Sequence, residues 1–192
     1  QQAADGARLV DLWGDMPRAL RKQPEVLEIY VRGLQKFGRG AEAAKLLSTS
    51  LGPEVWSREL VQLYGELAGS DAARQLAAAE SWLPTRREDA VLLHTLGRLS
   101  ARNRLWGKAR SYLEASLALA PEPLVYLDLG RLQEALGQPE QAASCFRAGL
   151  ALALKGATAD PLVSDLPWAT KLASALEAQA AGTVSLSPPV YQ

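Results

Sequence analysis

Apolar positions recur at helical spacing along almost the whole chain, and no stretch alternates apolar with polar strictly enough to read as a half-buried strand. Proline and glycine interrupt this pattern at Pro24, Gly38, Pro53, Gly69, Pro84, Gly107, Pro121 and Gly137. The segments between them are roughly 12–16 residues long, the length of helices that pack as antiparallel pairs. Punctuation this regular points to internal repetition.

The repetition is visible residue by residue. LWGKARSYLEASLALAP, from Leu105 to Pro121, is echoed by LGQPEQAASCFRAGLALAL, from Leu136 to Leu154, and Ala142 and Phe146 each follow Ala109 and Leu113 by 33 residues. Upstream of each lies a Leu-Gly pair, Leu96-Gly97 and Leu129-Gly130, with the same Gly-to-Ala separation of 12. A further copy, PEVLEIYVRGLQKFGRGAEAAKLLSTSL, places Gly38, Ala43 and Leu47 in phase. RELVQLYGELAGSDAARQLAAAESWLP is a shortened copy, with Tyr64-Gly65, then Ala72, Leu76, Ala79 and Pro84. Its Gly-to-Ala separation is only 7, so the first turn between its helices is expected to be trimmed.

The steric logic is simple. A small residue at the crossing lets two helices approach, a large residue four positions after the Ala fills the space beside it, and proline ends the pair. This is the tetratricopeptide pattern of L-G, A-x3-F and P. It predicts an all-α, right-handed helical solenoid with helical caps. The expected organisation is a capping segment over 1–23, helix pairs over 24–57, 58–89, 90–122 and 123–155, a C-terminal capping helix over 156–181, and an extended tail over 182–192.

Composition narrows the function. Of 192 residues 48% are hydrophobic and only 6% aromatic, so Ala and Leu carry the burial and close helix packing is favoured. Lys plus Arg equals Asp plus Glu at 21 each, which leaves no net field to attract nucleic acid. Cys145 is the single cysteine, expected as a small buried residue. His94 is the single histidine, and it lies in a repeat helix; there is no His pair for a metal and no base beside a nucleophile. GRG at Gly38–Gly40 is a helix–helix turn, and no phosphate-cradling loop exists, so no enzyme and no bound cofactor are expected. No apolar run is long enough to cross a bilayer, and QQAADGARL has neither the basic start nor the apolar core of a signal peptide. A chain that starts at Gln1 rather than Met is expected to be a piece of something longer.

A binding face is easier to place than a catalytic one. His94, Arg98 and Arg102 follow i, i+4, i+8 and share a face, with Leu93, Leu96 and Leu99 expected to take the opposite one into the core. Arg131 and Arg32 fall in phase with Arg98, and Glu66 takes the same place in the short unit. First helices of such repeats line a concave groove, so these residues are candidates for holding carboxylates or another anion, with acidic residues concentrated elsewhere. Trp13, Trp56, Trp82, Trp106 and Trp168 stand near helix ends and are expected to pack unit on unit. The tail GTVSLSPPVYQ cannot continue a helix past Pro188-Pro189 and is a candidate for a groove or intermolecular contact.

LWGDMPRALRKQPEVLEIYVRGL (Leu12–Leu34), DAARQLAAAESWL (Asp71–Leu83) and LWGKARSYLEASLAL (Leu105–Leu119) resemble the C-terminal region of the HemY family, with the resemblance running from about Leu9 to Leu154. The resemblance implies the tetratricopeptide part of a Gram-negative inner-membrane protein associated with haem biosynthesis, lacking here its N-terminal membrane spans. It implies a part facing the cytoplasm, protein or peptide partners that include enzymes of tetrapyrrole biosynthesis, no nucleic acid, and membrane contact only through the missing segment. It carries over no catalytic residues. Three binding roles stay open: a non-catalytic protein-interaction scaffold, a haem or porphyrin carrier whose propionates meet Arg98, Arg102 and Arg131 with His94 near the metal, and a peptide clamp. The last is disfavoured because His94, Thr95 and Arg98 stand where carboxylate clamps need Lys and Asn.

Overall fold

The computed structural model describes residues 2–67 and 71–157, and every regular element among them is helical. The chain divides into two compact units, Gln1–Pro121 and Glu122–Gln192. The first holds α1 (Gln2–Asp15), α2 (Arg18–Arg21), α3 (Pro24–Lys36), α4 (Gly40–Ser50), α5 (Arg58–Glu66), α6 (Ala72–Glu80), α7 (Ala90–Arg102) and α8 (Trp106–Leu119), with a 3-10 turn at Leu83–Thr85. The second holds α9 (Pro123–Ala135) and α10 (Pro139–Ala157). No helix among the described residues is long and apolar enough to cross a membrane. The C-terminal capping helix and the tail, with Trp168, lie outside the described residues beyond Ala157.

Local chemistry starts and stops these helices. Pro24 and Pro123 occupy first turns, where the missing N–H costs nothing. Ser57, Asp71 and Asp89 are N-caps whose side chains accept from Leu60 N, Arg74 N, and Val91 N with Leu92 N. At the ends of α3, α7 and α9 the same closing bond recurs: Arg39 N to Leu34 O at 2.8 Å, Leu105 N to Ser100 O at 2.9 Å, and Gln138 N to Gln133 O at 2.9 Å. Each turn needs one left-handed residue, supplied by Gly38 (φ 74°), Arg104 (φ 57°) and Gly137 (φ 71°). The turn before α8 therefore hinges on Arg104. Gly107, expected as the punctuation there, is an exposed residue in the first turn of α8.

The core follows the repeat phase. Leu27, Tyr30, Val31 and Leu34 of α3 are buried at i, i+3, i+4, i+7, against Ala43, Ala44 and Leu47 of α4. In the third pair a Cβ on Gly97 would stand 2.7 Å from Leu113, beside fully buried Ala109. In the fourth a Cβ on Gly130 would run into the Phe146 ring, beside Ala142 at 1% exposure. So glycine and the large residue of A-x3-F meet directly, as the sterics require. The α1 helix packs on α3, with Leu9 filling the space over Gly33 and Trp13 stacked on Tyr30 at 4.0 Å between ring centroids.

The short pair departs from the expected pattern. Its deletion is in the helices, α5 having nine residues against thirteen in α3, α7 and α9, and α6 nine against eleven in α4 and fourteen in α8, while five residues rather than three separate its two helices. Gly65 does not face its own partner helix: a Cβ there would stand 3.2 Å from Thr95 of α7, whose hydroxyl donates to Val61 O at 3.0 Å. The glycine therefore serves the contact with the next pair.

Candidate functional site

The candidate residues of the Gln1–Pro121 unit are Arg32 on α3, Glu66 on α5, and His94, Arg98 and Arg102 on α7. The structure brings only part of this set together. Arg98 Nη1 lies 3.8 Å from Glu66 Oε1, with about a third of each side chain exposed, and this pair bridges α5 and α7. Gln62 Nε2 also donates to Glu66 Oε1 at 3.3 Å. A half-exposed pair of this kind contributes roughly 0–1 kcal/mol. Arg32 is engaged within its own helix, its Nε 2.8 Å from Glu28 Oε1. Arg131 belongs to the other unit and stands 3.8 Å from Asp128 Oδ1, one turn away on α9.

Two of the residues sit differently from expectation. Arg102 Nη1 donates to Leu67 O at 2.6 Å and its Nη2 to Glu66 O at 3.0 Å, so the guanidinium closes the C-terminal end of α5. The last turn of a helix leaves carbonyls without intrahelical donors, and a cation there also meets the negative end of the helix dipole. His94 is only 8% exposed. Sequence reasoning put Leu93, Leu96 and Leu99 inward and His94 outward, but α7 is buried on most sides, with Leu92, Thr95, Gly97 and Ser100 covered as well. The cause is tertiary: α5, α6 and α8 all pack against α7. Nor are the acids remote from the arginines, since Glu28 and Glu66 lie on the same face.

Residues that the repeat pattern did not single out hold the short pair together. Gln75, 5% exposed, donates from Nε2 to Tyr64 O at 2.7 Å and to Leu67 O at 3.1 Å. Tyr64 returns its hydroxyl to Gln75 O at 3.1 Å, and burial pushes that phenol's pKa up to about 12. Asn103 Nδ2 donates to Ala72 O at 2.9 Å. Polar residues at buried sites break the apolar period, and that break is the sequence sign that could have marked Gln75.

The tryptophans divide. Trp82 packs edge-on to Trp56 at 5.6 Å and to Tyr64 at 5.1 Å, while Arg86 lies 4.0 Å over the Trp56 ring and Trp56 Nε1 donates to Asp89 Oδ2 at 2.9 Å. This cluster joins the short pair to the cap of α7. Trp106 instead is 37% exposed at the start of α8. Cys145 is half-buried on α10 rather than fully enclosed. The described residues hold no group of three or more His, Cys, Asp or Glu that could bind a metal ion.

The helix pairs, with Gly set against Leu in α7–α8 and against Phe in α9–α10, define a tetratricopeptide-like helical solenoid fold. Solved structures agree. The chain is similar to a crystal structure of MamA, 18% identical with a TM-score of 0.53 over 73% of this chain and 84% of that one. It is similar to a second MamA crystal structure, 16% identical with a TM-score of 0.50 over 97% of this chain and 96% of that one. MamA is itself a tetratricopeptide-like helical solenoid. No protein-family model and no curated protein matches the chain.

Proposed function

We propose that the chain is a non-catalytic protein-interaction scaffold. The observation that supports this most is the charged face of adjacent first helices, on which Glu66 and Arg98 meet between the packed α5 and α7. A solenoid that fixes side chains on neighbouring helices offers a partner a pre-ordered surface, and less ordering entropy is lost on binding. We propose further, on the resemblance of Leu12–Leu34 and Leu105–Leu119 to the HemY family, that this scaffold is the cytoplasm-facing part of an inner-membrane protein that gathers enzymes of haem or porphyrin biosynthesis. Crosslinking the full-length membrane-anchored protein in cells, followed by identification of what is captured, tests both parts. Recovery of tetrapyrrole enzymes supports the whole reading. Recovery of other specific proteins removes the haem part, and recovery of none overturns the scaffold. The rival carrier reading is weakened by the contacts that Arg98 and Arg102 already make within the protein. Titration with haem is accordingly expected to give no Soret shift.

A further inference from the structure

A cleft of about 350 Å³ lies between α4 and α6, and none of Arg32, Glu66, His94, Arg98 and Arg102 lines it. Its walls are two matching rows. Ala41, Ala44, Lys45 and Ser48 follow i, i+3, i+4, i+7 on α4, and Asp71, Arg74, Gln75 and Ala78 follow the same spacing from the N-cap of α6. Each row is about 10 Å long at the helical rise, or two turns. Tyr64, 1% exposed, lies deepest, and the small Ala and Ser side chains leave the groove open between the helices. This is the shape that receives two turns of a third helix, whose ridge settles between small residues.

The rim decides which helix. Glu42 is taken by Arg39, with Nε–Oε1 at 2.6 Å and Nη2–Oε2 at 2.7 Å. Asp71 is committed to capping α6, accepting from Arg74 N at 2.9 Å. Lys45 and Arg74 are exposed, and no ion pair or side-chain hydrogen bond holds either among the described residues. The cleft thus has a lining in which Ala41, Ala44, Ala78 and the Tyr64 ring supply the apolar surface, and two exposed positive charges outside any ion pair, one on each wall. A phosphate or nucleic-acid backbone would need free donors along the cleft, and those of Ser48, Thr49, Tyr64 and Gln75 already donate to backbone carbonyls of the protein. We propose that this cleft docks an amphipathic helix of a partner protein, its apolar stripe in the groove and its flanking Asp or Glu against Lys45 and Arg74. The proposal rests on the scaffold reading and names a second binding face for it, with the partner's chemistry.

The test uses two labelled synthetic amphipathic helices with the same apolar stripe, one flanked by Glu and one by Lys, titrated against the full chain by fluorescence anisotropy. The Glu peptide is expected to bind and the Lys peptide not. The double change Lys45→Glu with Arg74→Glu should weaken the Glu peptide by about tenfold or more and rescue the Lys peptide. Lys45→Ala with Arg74→Ala, which changes only exposed side chains, should give an intermediate loss with an unchanged melting curve. Equal binding of both peptides, or no effect of the reversals, overturns the assignment. Self-association abolished by the same reversals would make the occupant a second copy and overturn it too. Crosslinked partners captured equally by the wild type and the reversed variant would sink the cleft alone, whereas an empty capture would sink the scaffold reading while the titration still judged the cleft.

Discussion

Arg104 holds a left-handed conformation that its Cβ resists, at the turn position that Gly38 and Gly137 fill in the other pairs. Arg104→Gly should therefore stabilise the protein by about 1 kcal/mol, read as a higher urea midpoint with unchanged slope. Arg102 is the opposite case. Removing its guanidinium leaves Glu66 O without this donor and Leu67 O with only Gln75 Nε2, and Arg102→Ala should cost about 1–2 kcal/mol. Tyr64 adds a pH dependence whose sign is definite. Burial raises its folded pKa to about 12 from the ordinary 10, so the folded state keeps a proton that the unfolded chain releases. Its contribution is complete below pH 10 and is lost as pH rises from there through about 12. Tyr30 and Tyr112 shift in the same direction, mainly through burial, so comparison of alkaline melting curves between the wild type and Tyr64→Phe isolates the share due to Tyr64.

At the scale of elements, the crossing of each helix pair is the point of least tolerance. Ala109 and Ala142 are buried where Gly97–Leu113 and Gly130–Phe146 interlock, and Ala109→Leu or Ala142→Leu should each cost on the order of 1–3 kcal/mol. Thermal midpoints that did not move would mean the repeat phase is misassigned. These crossings were legible in sequence because one steric requirement recurs at a fixed interval. The short pair was legible only as a deviation. Its Gly65 matches the Leu-Gly position by spacing yet faces Thr95 of the following pair, because a nine-residue α5 cannot present a full-length face to α6 and the gap is closed by α7, Gln75 and Asn103 instead.

At the scale of the molecule, the balance of 21 basic and 21 acidic residues is repeated locally, since Arg32, Arg98 and Arg131 each stand beside an acid. These are exposed or half-exposed pairs, so Arg98→Ala combined with Arg131→Ala should leave helicity intact and change stability by less than about 1 kcal/mol per site, in contrast to Arg102→Ala. Circular dichroism melting of the two variants checks this. What the sequence determined alone was the all-α class and the phase of the pairs, because helix period, Gly–Ala–Phe sterics and proline stops act over short spans that one chain segment contains. Only the tertiary structure decided which residues of a helical face reach solvent. His94, Arg98 and Arg102 share one stripe of α7 by spacing, but with α5, α6 and α8 packed on α7 the first is buried, the second pairs with Glu66 and the third caps the end of α5. The period of a helix says which side chains point the same way; what packs against that side is set by residues far away in the chain.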